Sequence, residues 1–270
     1  MEIDRLEKIA KEIAILILDM SYTAGVGHVG SALSISDLLT VLYFSKIDIS
    51  HENIHSQERD RFILSKGHAA AALYAVLYKK GILSQELFDS FTREEGGLCE
   101  HPEISTPGVE MTAGSLGHGL AFGVGIAYGL LKRRSENFVY VLISDGECGE
   151  GSIWEAALLA TRLKLNNLTV ILDYNKWQCF GKVEEVTQLE PLADKWQCFG
   201  WNVKEIDGHA IHIIQKTLDT LTIKKEKPTI IIAHTVSGRG ISLIQDQMIG
   251  HYKVFSQKEY ENARKELLAL

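Results

Sequence analysis

Apolar residues along this chain follow two different spacings, which predict alternating helices and strands. Near the start, Leu6, Ile9, Ile13 and Ile17 recur at the spacing of one helix face, so we expect a helix over residues 3–20. Short apolar runs farther along are bounded by turn-forming residues and indicate buried strands. Strands are therefore predicted at residues 62–65, 138–143, 168–172, 201–206 and 229–233. Further helices are predicted at residues 36–44, 69–80, 117–134, 153–163, about 189–199, 211–221 and from 258 onwards.

From residue 138 onwards strands and helices alternate regularly, and this order favours an α/β fold. We expect a doubly wound, mostly parallel sheet with helices on both faces. The chain has only four prolines and no linker-like stretch, so residues 1–270 are predicted to form a single domain. Ligands of such sheets bind beyond the carboxyl ends of the strands, so the residues that follow each strand are the first candidates for a site.

Composition and charge argue against several classes of protein. A net charge of −7 and the lack of a Lys/Arg run argue against binding to nucleic acid. No apolar stretch has the length of a membrane span, and the first residues lack a signal-peptide pattern, so a cytoplasmic protein is expected. Four widely spaced cysteines without a CxxC motif argue against a zinc site or a disulfide framework.

Polar side chains follow two of the predicted strands at the point where each strand ends. The strand at 138–143 leads to Asp145 and Gly146, and the strand at 168–172 leads to Asn175. Neighbouring parallel strands would bring the carboxylate and the amide oxygen to one edge of the sheet. Such hard oxygen ligands suit Mg²⁺ and leave positions for phosphate oxygens, while a glycine lets backbone N–H groups approach an anion. We therefore predict a clamp for a magnesium-bound diphosphate; the alternative is a simple turn.

Other acidic residues in this region have competing interpretations. Ser152 and Glu155 form a capping-box pattern, which predicts the start of the next helix and leaves Asp145 without an obvious structural role. The same pattern explains Glu155 as well as any function does. Glu150 has no such explanation and is either a surface carboxylate or part of a buried acidic network where two chains meet.

Two glycine-rich segments have the composition of ligand-binding loops. Residues 25–30 match the GxGxxG pattern of dinucleotide-binding proteins, but a helix rather than a strand precedes them, so we reject that function. We expect a turn that presents His28 instead. Residues 114–119 form the second segment, whose backbone is expected to approach a flat ring or a phosphate at a helix N-terminus. The alternative there is helix entry with tight packing.

Four histidines occupy loops between predicted elements, next to glycine or proline. They are His28, His68, His101 and His251. Together with a phosphate site they suggest a cluster that binds sugar hydroxyls and moves protons near neutral pH. They lack the spacing of a histidine metal site, and any one of them alone is more often a packed or surface residue.

The order of these motifs resembles the N-terminal, diphosphate-binding part of transketolase over residues 19–252. The matching runs are GHVGSALSISDLL (27–39), SKGHAAAALYAVL (65–77), EHPEISTPGVEMTAGSLGHGLAFGVGIA (100–127), SDGECGEGSIWEAA (144–157), NNLTVILDYNK (166–176), EPLADKWQCFGWNV (190–203) and AHTVSGRGIS (233–242). Their combined order and spacing are specific, whereas any single run is not.

The resemblance implies thiamine diphosphate as cofactor, with Mg²⁺ or Ca²⁺. The metal would be held by Asp145, the side chain of Asn175 and the backbone carbonyl of Trp177. The diphosphate would be contacted by Gly146, His68 and His251. The aminopyrimidine ring would contact the backbone of Gly114 and Leu116. The substrate channel would be lined by His28, His101 and His251, which would move protons to and from the sugar.

The chain departs from the usual family pattern at several positions close to these motifs. Ser144 stands where glycine usually precedes the metal aspartate, Val29 replaces a proline, and His118 replaces a glutamine. The surroundings of His251 also differ from the family pattern. These departures concern donor and acceptor preference more than cofactor binding.

The largest departure is length, since full transketolases carry a second α/β domain that completes the site. The resemblance therefore implies the N-terminal subunit of a split transketolase, whose partner is a separate C-terminal, pyrimidine-binding subunit. Together they would transfer a two-carbon ketol unit from a ketose phosphate to an aldose phosphate. Two copies of each subunit, forming an α2β2 heterotetramer, are expected because such sites are shared between chains.

Two alternative functions remain open beside the split transketolase. Another thiamine diphosphate enzyme, such as a deoxyxylulose-phosphate synthase or a 2-oxo-acid dehydrogenase component, is the nearest rival. A non-catalytic scaffold on the same fold is the second, since fold does not fix function.

The hexapeptide KWQCFG occurs at both 176–181 and 195–200. It is predicted to be coincidence or local duplication because its two contexts differ.

Overall fold

The computed structural model describes residues 1–93, 97–223 and 226–270. The helices are α1 (Ile3–Ala24), α2 (Val29–Leu33), α3 (Ser36–Val41), α4 (Ala70–Lys79), α5 (Gln85–Asp89), α6 (Gly119–Lys132), α7 (Gly151–Arg162), α8 (Val183–Val186), α9 (Leu192–Cys198), α10 (Ile211–Asp219) and α11 (Gln257–Ala269). The strands are β1 (Arg61–Leu64), β2 (Val139–Ser144), β3 (Leu168–Tyr174), β4 (Trp177–Gln178), β5 (Gly181–Lys182), β6 (Asn202–Asp207) and β7 (Thr229–His234).

Five strands form one parallel sheet in the order β1-β2-β3-β7-β6. The predicted α/β class with a mostly parallel sheet is therefore confirmed. β2 and β3 are neighbours, with Ser144 opposite Asp173, so the residues that follow them emerge side by side. Each crossover between parallel strands needs a long connection, and helices supply it on both sides of the sheet.

Side chains of alternate strand residues enter two separate cores, one on each face of the sheet. Tyr140 and Leu142 of β2 join a core that includes α1, α3, α4, α10 and α11. Val139, Val141 and Ile143 of the same strand join a second core with α6, α7 and α9. Because both faces are covered, the central strands are apolar at nearly every position instead of alternating with polar residues. This explains the continuous apolar runs in the sequence.

Several predicted boundaries are corrected by the structure. α1 continues past residue 20 to Ala24 and ends at Gly25, which adopts the left-handed conformation with φ 67°. The helix predicted at 36–44 consists of α3 followed by a π-helical turn, Leu42–Lys46. The short helices α2, α5 and α8 and the β4–β5 hairpin were not predicted, because elements of two to five residues carry too little periodicity.

The capping-box prediction at Ser152 is wrong. Helix α7 begins at Gly151, and its N-cap residue, Glu150, makes no side-chain cap. Ser152 lies inside the helix and donates its hydroxyl to the carbonyl of Gly117 at 2.9 Å. A tertiary hydrogen bond has therefore replaced the local one, and it attaches α7 to the glycine-rich segment at 114–119.

The two copies of KWQCFG lie in different elements, as predicted. The first spans the β4–β5 hairpin and the second ends α9. Among the described residues, no helix is both long enough and apolar enough to cross a membrane.

Candidate active site

The carboxyl ends of β2 and β3 open into a cavity of about 330 Å³. Its lining includes every residue that the sequence singled out for the site, namely His28, His68, His101, Gly114, Leu116, Asp145, Gly146, Asn175, Trp177 and His251. Residues separated by more than 200 positions in the chain thus meet at one edge of the sheet. The cavity lies where ligands bind in doubly wound folds.

Asp145 is almost completely buried, with 1% of its surface exposed. One carboxylate oxygen accepts the N–H of Gly146 at 2.8 Å, and the other accepts the N–H of Lys176 at 2.7 Å. The sequence-based view that Asp145 lacks a structural role is therefore wrong, since it joins the two loops after β2 and β3. Burial and the nearby Asp173 raise the pKa of Asp145 to about 7. A cation beside it would favour the charged carboxylate.

Asn175 is oriented by a hydrogen bond that the sequence did not reveal. Its amide nitrogen donates to Asp173 at 2.9 Å, and its oxygen accepts the N–H of Trp177 at 2.9 Å. A charged Asp173 accepts hydrogen bonds only, so the nitrogen of Asn175 must face it and the oxygen faces the other way. The amide oxygen of Asn175 therefore has a fixed orientation, and Asn175 and Asp145 line the same cavity.

Asp173 is the centre of a buried network beneath the cavity. Lys66 donates to it at 2.5 Å, Ser34 donates at 2.8 Å, and the hydroxyl of Thr235 also donates. Burial alone raises the pKa of Asp173, but Lys66 and these donors hold it below its ordinary value. Sequence reasoning missed Asp173 and Lys66 as site residues. The one available signal was a charged residue inside an otherwise apolar strand run, at the position before Tyr174.

Glu147 fixes the glycine-rich segment at 114–119 against the loop that follows β2, and sequence reasoning missed it as well. It is fully buried and accepts the N–H groups of Gly117 at 2.8 Å and Ser144 at 2.9 Å. The hydroxyl of Ser65 donates to the same carboxylate. This single side chain therefore connects the ends of β1 and β2 with residues 114–119, so that Gly114 and Leu116 face the cavity from a fixed position.

Three of the four predicted histidines form a compact cluster. The ring centroids of His28, His68 and His251 lie 5.3 to 5.5 Å apart. The backbone N–H of His28 donates to the carbonyl of His251 at 3.0 Å, which connects the two loops. Gly30 permits this approach, because a Cβ there would lie 2.7 Å from the carbonyl oxygen of Gly250. His101 lines the same cavity.

Burial favours the neutral imidazoles of His28, His68 and His251 by lowering the pKa of each ring. Burial lowers the pKa of His68 well below its ordinary value, and Lys66 and His28 lower it further. Burial, with His28 and Lys66 nearby, lowers the pKa of His251 to about 4. A neutral imidazole has one nitrogen that donates and one that accepts, which suits it to sugar hydroxyls and to proton transfer.

Donor groups in the cavity fit a phosphate-bearing ligand with a divalent ion. Gln178 lines the cavity, and its amide nitrogen is buried without a hydrogen-bond partner among the described residues. Within residues 1–93, 97–223 and 226–270, no three His, Cys, Asp or Glu side chains are arranged to hold a metal by themselves. A metal here would depend on Asp145, on neutral oxygens and on the ligand's own phosphates, which is typical of Mg²⁺.

Comparison with known proteins identifies the family. A family model described as transketolase, thiamine diphosphate binding domain, matches residues 6–268. A subunit of the apulose-4-phosphate transketolase of Phocaeicola vulgatus is 38% identical over 99% of this chain and 95% of its own length. The 6-deoxy-6-sulfo-D-fructose transketolase subunit SqwG of Clostridium sp. is 40% identical over 96% of this chain and 94% of its own length.

Full-length transketolases match the same region. Human transketolase is 32% identical over 98% of this chain but only 42% of its own length. The crystal structure of transketolase from Campylobacter jejuni superimposes with a TM-score of 0.92 at 32% identity, over 99% of this chain and 43% of that one.

The fold and the cavity are those of an α/β protein with its site at the carboxyl ends of parallel strands. This chain belongs to the transketolase family, and it corresponds to the thiamine-diphosphate-binding domain of that family. Near-complete matches to proteins named as transketolase subunits confirm the predicted identification as an N-terminal transketolase subunit, and with it the transferase class.

Proposed function

We propose that this chain, with a second subunit, transfers a two-carbon ketol unit from a ketose phosphate to an aldose phosphate. Thiamine diphosphate and Mg²⁺, or Ca²⁺, would be the cofactors. The observation that supports this most strongly is the meeting of Asp145, Asn175 and the histidine cluster in one cavity. The relatives with apulose 4-phosphate and 6-deoxy-6-sulfo-D-fructose in their names support a sugar substrate, without fixing which sugar.

The metal and the diphosphate are assigned to the two strand-end loops. Asp145, the oxygen of Asn175 and the carbonyl of Trp177 would hold the ion. Gly146, His68 and His251 would contact the diphosphate. The backbone of Gly114 and Leu116 would contact the aminopyrimidine ring. Bound thiamine diphosphate supplies the carbanion chemistry that breaks and forms the carbon–carbon bond.

Proton handling is assigned to this chain's own histidines. His28, His101 and His251 line the cavity beyond the strand ends. An imidazole in this position accepts a proton from a sugar hydroxyl and returns it later in the cycle. The low pKa of His251 favours its neutral ring, so that one of its nitrogens can accept a proton or a hydrogen bond from the sugar.

A second subunit in the complex is supported by the rim of the cavity. Phe180, Met248 and Tyr252 line the cavity with 80%, 48% and 61% of their surfaces exposed. Large apolar side chains grouped around an open site mark a surface that another protein covers. We propose that a pyrimidine-binding subunit covers it, in an α2β2 assembly of cytoplasmic subunits in which residues 1–270 form one domain.

Reconstitution tests this function. The chain alone, a chain carrying the pyrimidine-binding domain, and their mixture would be assayed with fructose 6-phosphate as donor and ribose 5-phosphate as acceptor, with thiamine diphosphate and Mg²⁺. We expect ketol transfer only from the mixture. Pyruvate in place of the ketose phosphate serves as the control, since turnover of pyruvate would favour a deoxyxylulose-phosphate synthase or an oxo-acid dehydrogenase component. Full activity from the lone chain would contradict the shared site.

A further inference from the structure

Glu100 makes a contact at the cavity that the function above does not use. One of its carboxylate oxygens lies 3.1 Å from Nδ1 of His28. The side chain of His28 is mostly buried, with 18% exposed, and that of Glu100 is partly exposed at 40%. Glu100 directly precedes His101 in the chain, so one loop brings both a cavity histidine and the partner of another.

The hydrogen bond determines which nitrogen of His28 carries the proton. A carboxylate only accepts, so Nδ1 must be the donor, and Nε2 of a neutral ring is then left with its lone pair. No described residue makes a hydrogen bond to Nε2. His28 lines the cavity, so this free nitrogen is the one available to a substrate hydroxyl.

The backbone conformation of His28 also has to be held by contacts from other residues. His28 has φ 62°, in the left-handed region that non-glycine residues rarely adopt. Its position therefore follows from the surrounding contacts and not from its local preference. The backbone N–H is held by the carbonyl of His251, and the ring is held by Glu100.

We propose that Glu100 is a positioning residue for the ketol-transfer reaction, which keeps Nε2 of His28 free to accept a proton from a sugar hydroxyl. In that step the hydroxyl proton moves to Nε2 and the ring becomes an imidazolium. The negative charge of Glu100 stabilises this imidazolium until the proton returns to the substrate. The inference rests on the proposed function. A neutral residue at position 100 would still allow folding but would leave the imidazolium without its counter-charge.

Of the described groups around His28, Glu100 is the one whose charge favours the protonated ring. Burial lowers the pKa of His28, and His101 and Lys66 lower it further, whereas Glu100 raises it. The rings of His68, His251 and Tyr252 also lie against His28, at 5.3 to 5.5 Å between centroids. Removal of the Glu100 charge should therefore lower the pKa of His28.

The test compares Glu100→Gln with the matched control Glu103→Gln, an exposed carboxylate in the same loop. NMR of ¹⁵N-histidine-labelled full-length chain, with His28→Asn for assignment, reports the tautomer and the pKa of His28. We expect the Nδ1–H tautomer of His28 in the wild type, a lower His28 pKa in Glu100→Gln and no change of this pKa in Glu103→Gln.

In the assembled enzyme, with fructose 6-phosphate and ribose 5-phosphate, we expect kcat of Glu100→Gln to fall roughly tenfold or more with KM little changed. The acid limb of its pH profile should move to lower pH.

Two outcomes would overturn the proposal. One is an Nε2–H tautomer of His28 in the wild type, or a His28 pKa that is the same in both variants. The other is a lowered pKa in Glu100→Gln with kcat and a pH profile equal to those of Glu103→Gln. A wild-type assembly without ketol transfer would contradict the proposed function instead, and the NMR comparison would then decide the Glu100–His28 bond by itself.

Discussion

Nζ of Lys66 lies 2.5 Å from Oδ2 of Asp173, and both side chains are fully buried beneath the candidate site. Lys66 precedes the cavity residue His68 by two positions, and Asp173 precedes Asn175 by two. The ion pair therefore joins the loop after β1 to the end of β3 directly below the proposed metal and diphosphate residues. Because Asp173 also orients the amide of Asn175, the pair links the stability of the domain to the geometry of its site.

Removal of Lys66 should destabilise the chain strongly. Lys66→Met leaves the carboxylate of Asp173 buried without its counter-charge, which costs about 3–5 kcal/mol when one partner of a buried pair is lost. Urea unfolding followed by circular dichroism measures the free energy of unfolding. The control is Lys79→Met, which breaks the half-exposed pair between Lys79 and Glu12. That change should cost only about 0–1 kcal/mol. Equal losses of unfolding free energy in the two variants would show that burial of the Lys66–Asp173 pair does not increase its contribution to stability.

Two glycines of α6 should respond oppositely to alanine. A Cβ at Gly123 would lie 2.4 Å from a methyl group of Val141 in β2, whereas nothing lies within 4 Å of a Cβ at Gly125. Gly123→Ala should therefore destabilise by about 1–3 kcal/mol, because the helix must move away from the sheet. Gly125→Ala should stabilise by about 0.5–1 kcal/mol, since alanine favours the helix. Thermal unfolding of the isolated chain measures both, and a stabilising Gly123→Ala would contradict the packing of α6 on β2.

Stability should fall as the pH drops below neutrality, in part because of the histidine cluster. The folded-state pKa of His251, about 4, lies below the ordinary value of 6.5, and that of His68 lies well below it too. The unfolded chain therefore binds more protons between these values. The contribution of His68 and His251 to the free energy of unfolding is complete above about pH 6.5. It is lost progressively as the pH falls toward their folded-state pKa values.

A substitution isolates the share of His251 in this pH dependence. His251→Asn removes one titrating ring, so the unfolding temperature of the variant should fall less steeply between pH 7 and pH 5 than that of the wild type. Differential scanning calorimetry gives both slopes. The exposed His118 supplies the control, since His118→Asn should leave the slope unchanged. If all three proteins give the same slope, His251 does not titrate from a lowered pKa.

The sequence predicted the parts of the site that depend on strand order, and missed the parts that depend on contacts between distant residues. Asp145 and Asn175 could be placed together because each directly follows a strand run, and neighbouring parallel strands end at the same edge. The partners of those residues could not be found in this way. Glu147 accepts hydrogen bonds from Gly117 and Ser65, which are far from it in the chain. No local sequence pattern indicates such a pairing.

The wrong cap at Ser152 has a related cause. A serine followed three residues later by a glutamate satisfies the local rule for a helix start. The structure instead uses the hydroxyl for the carbonyl of Gly117 and begins the helix before Ser152, at Gly151. A tertiary hydrogen bond was available in place of the local one, and sequence periodicity carries no information about it. Residues near the site are where such replacements of local by tertiary bonds are expected.

The most direct test is the affinity of the assembled enzyme for thiamine diphosphate, measured by isothermal titration calorimetry with Mg²⁺ and with EDTA. Asp145→Asn keeps the size of the buried side chain but removes its charge, and the exposed Asp194→Asn is the control. We predict tight binding only with Mg²⁺ in the wild type and in Asp194→Asn, and binding weaker by at least about 100-fold in Asp145→Asn. Undiminished, Mg²⁺-dependent affinity in a folded Asp145→Asn enzyme would contradict the assignment of the strand-end carboxylate as the ligand of the metal.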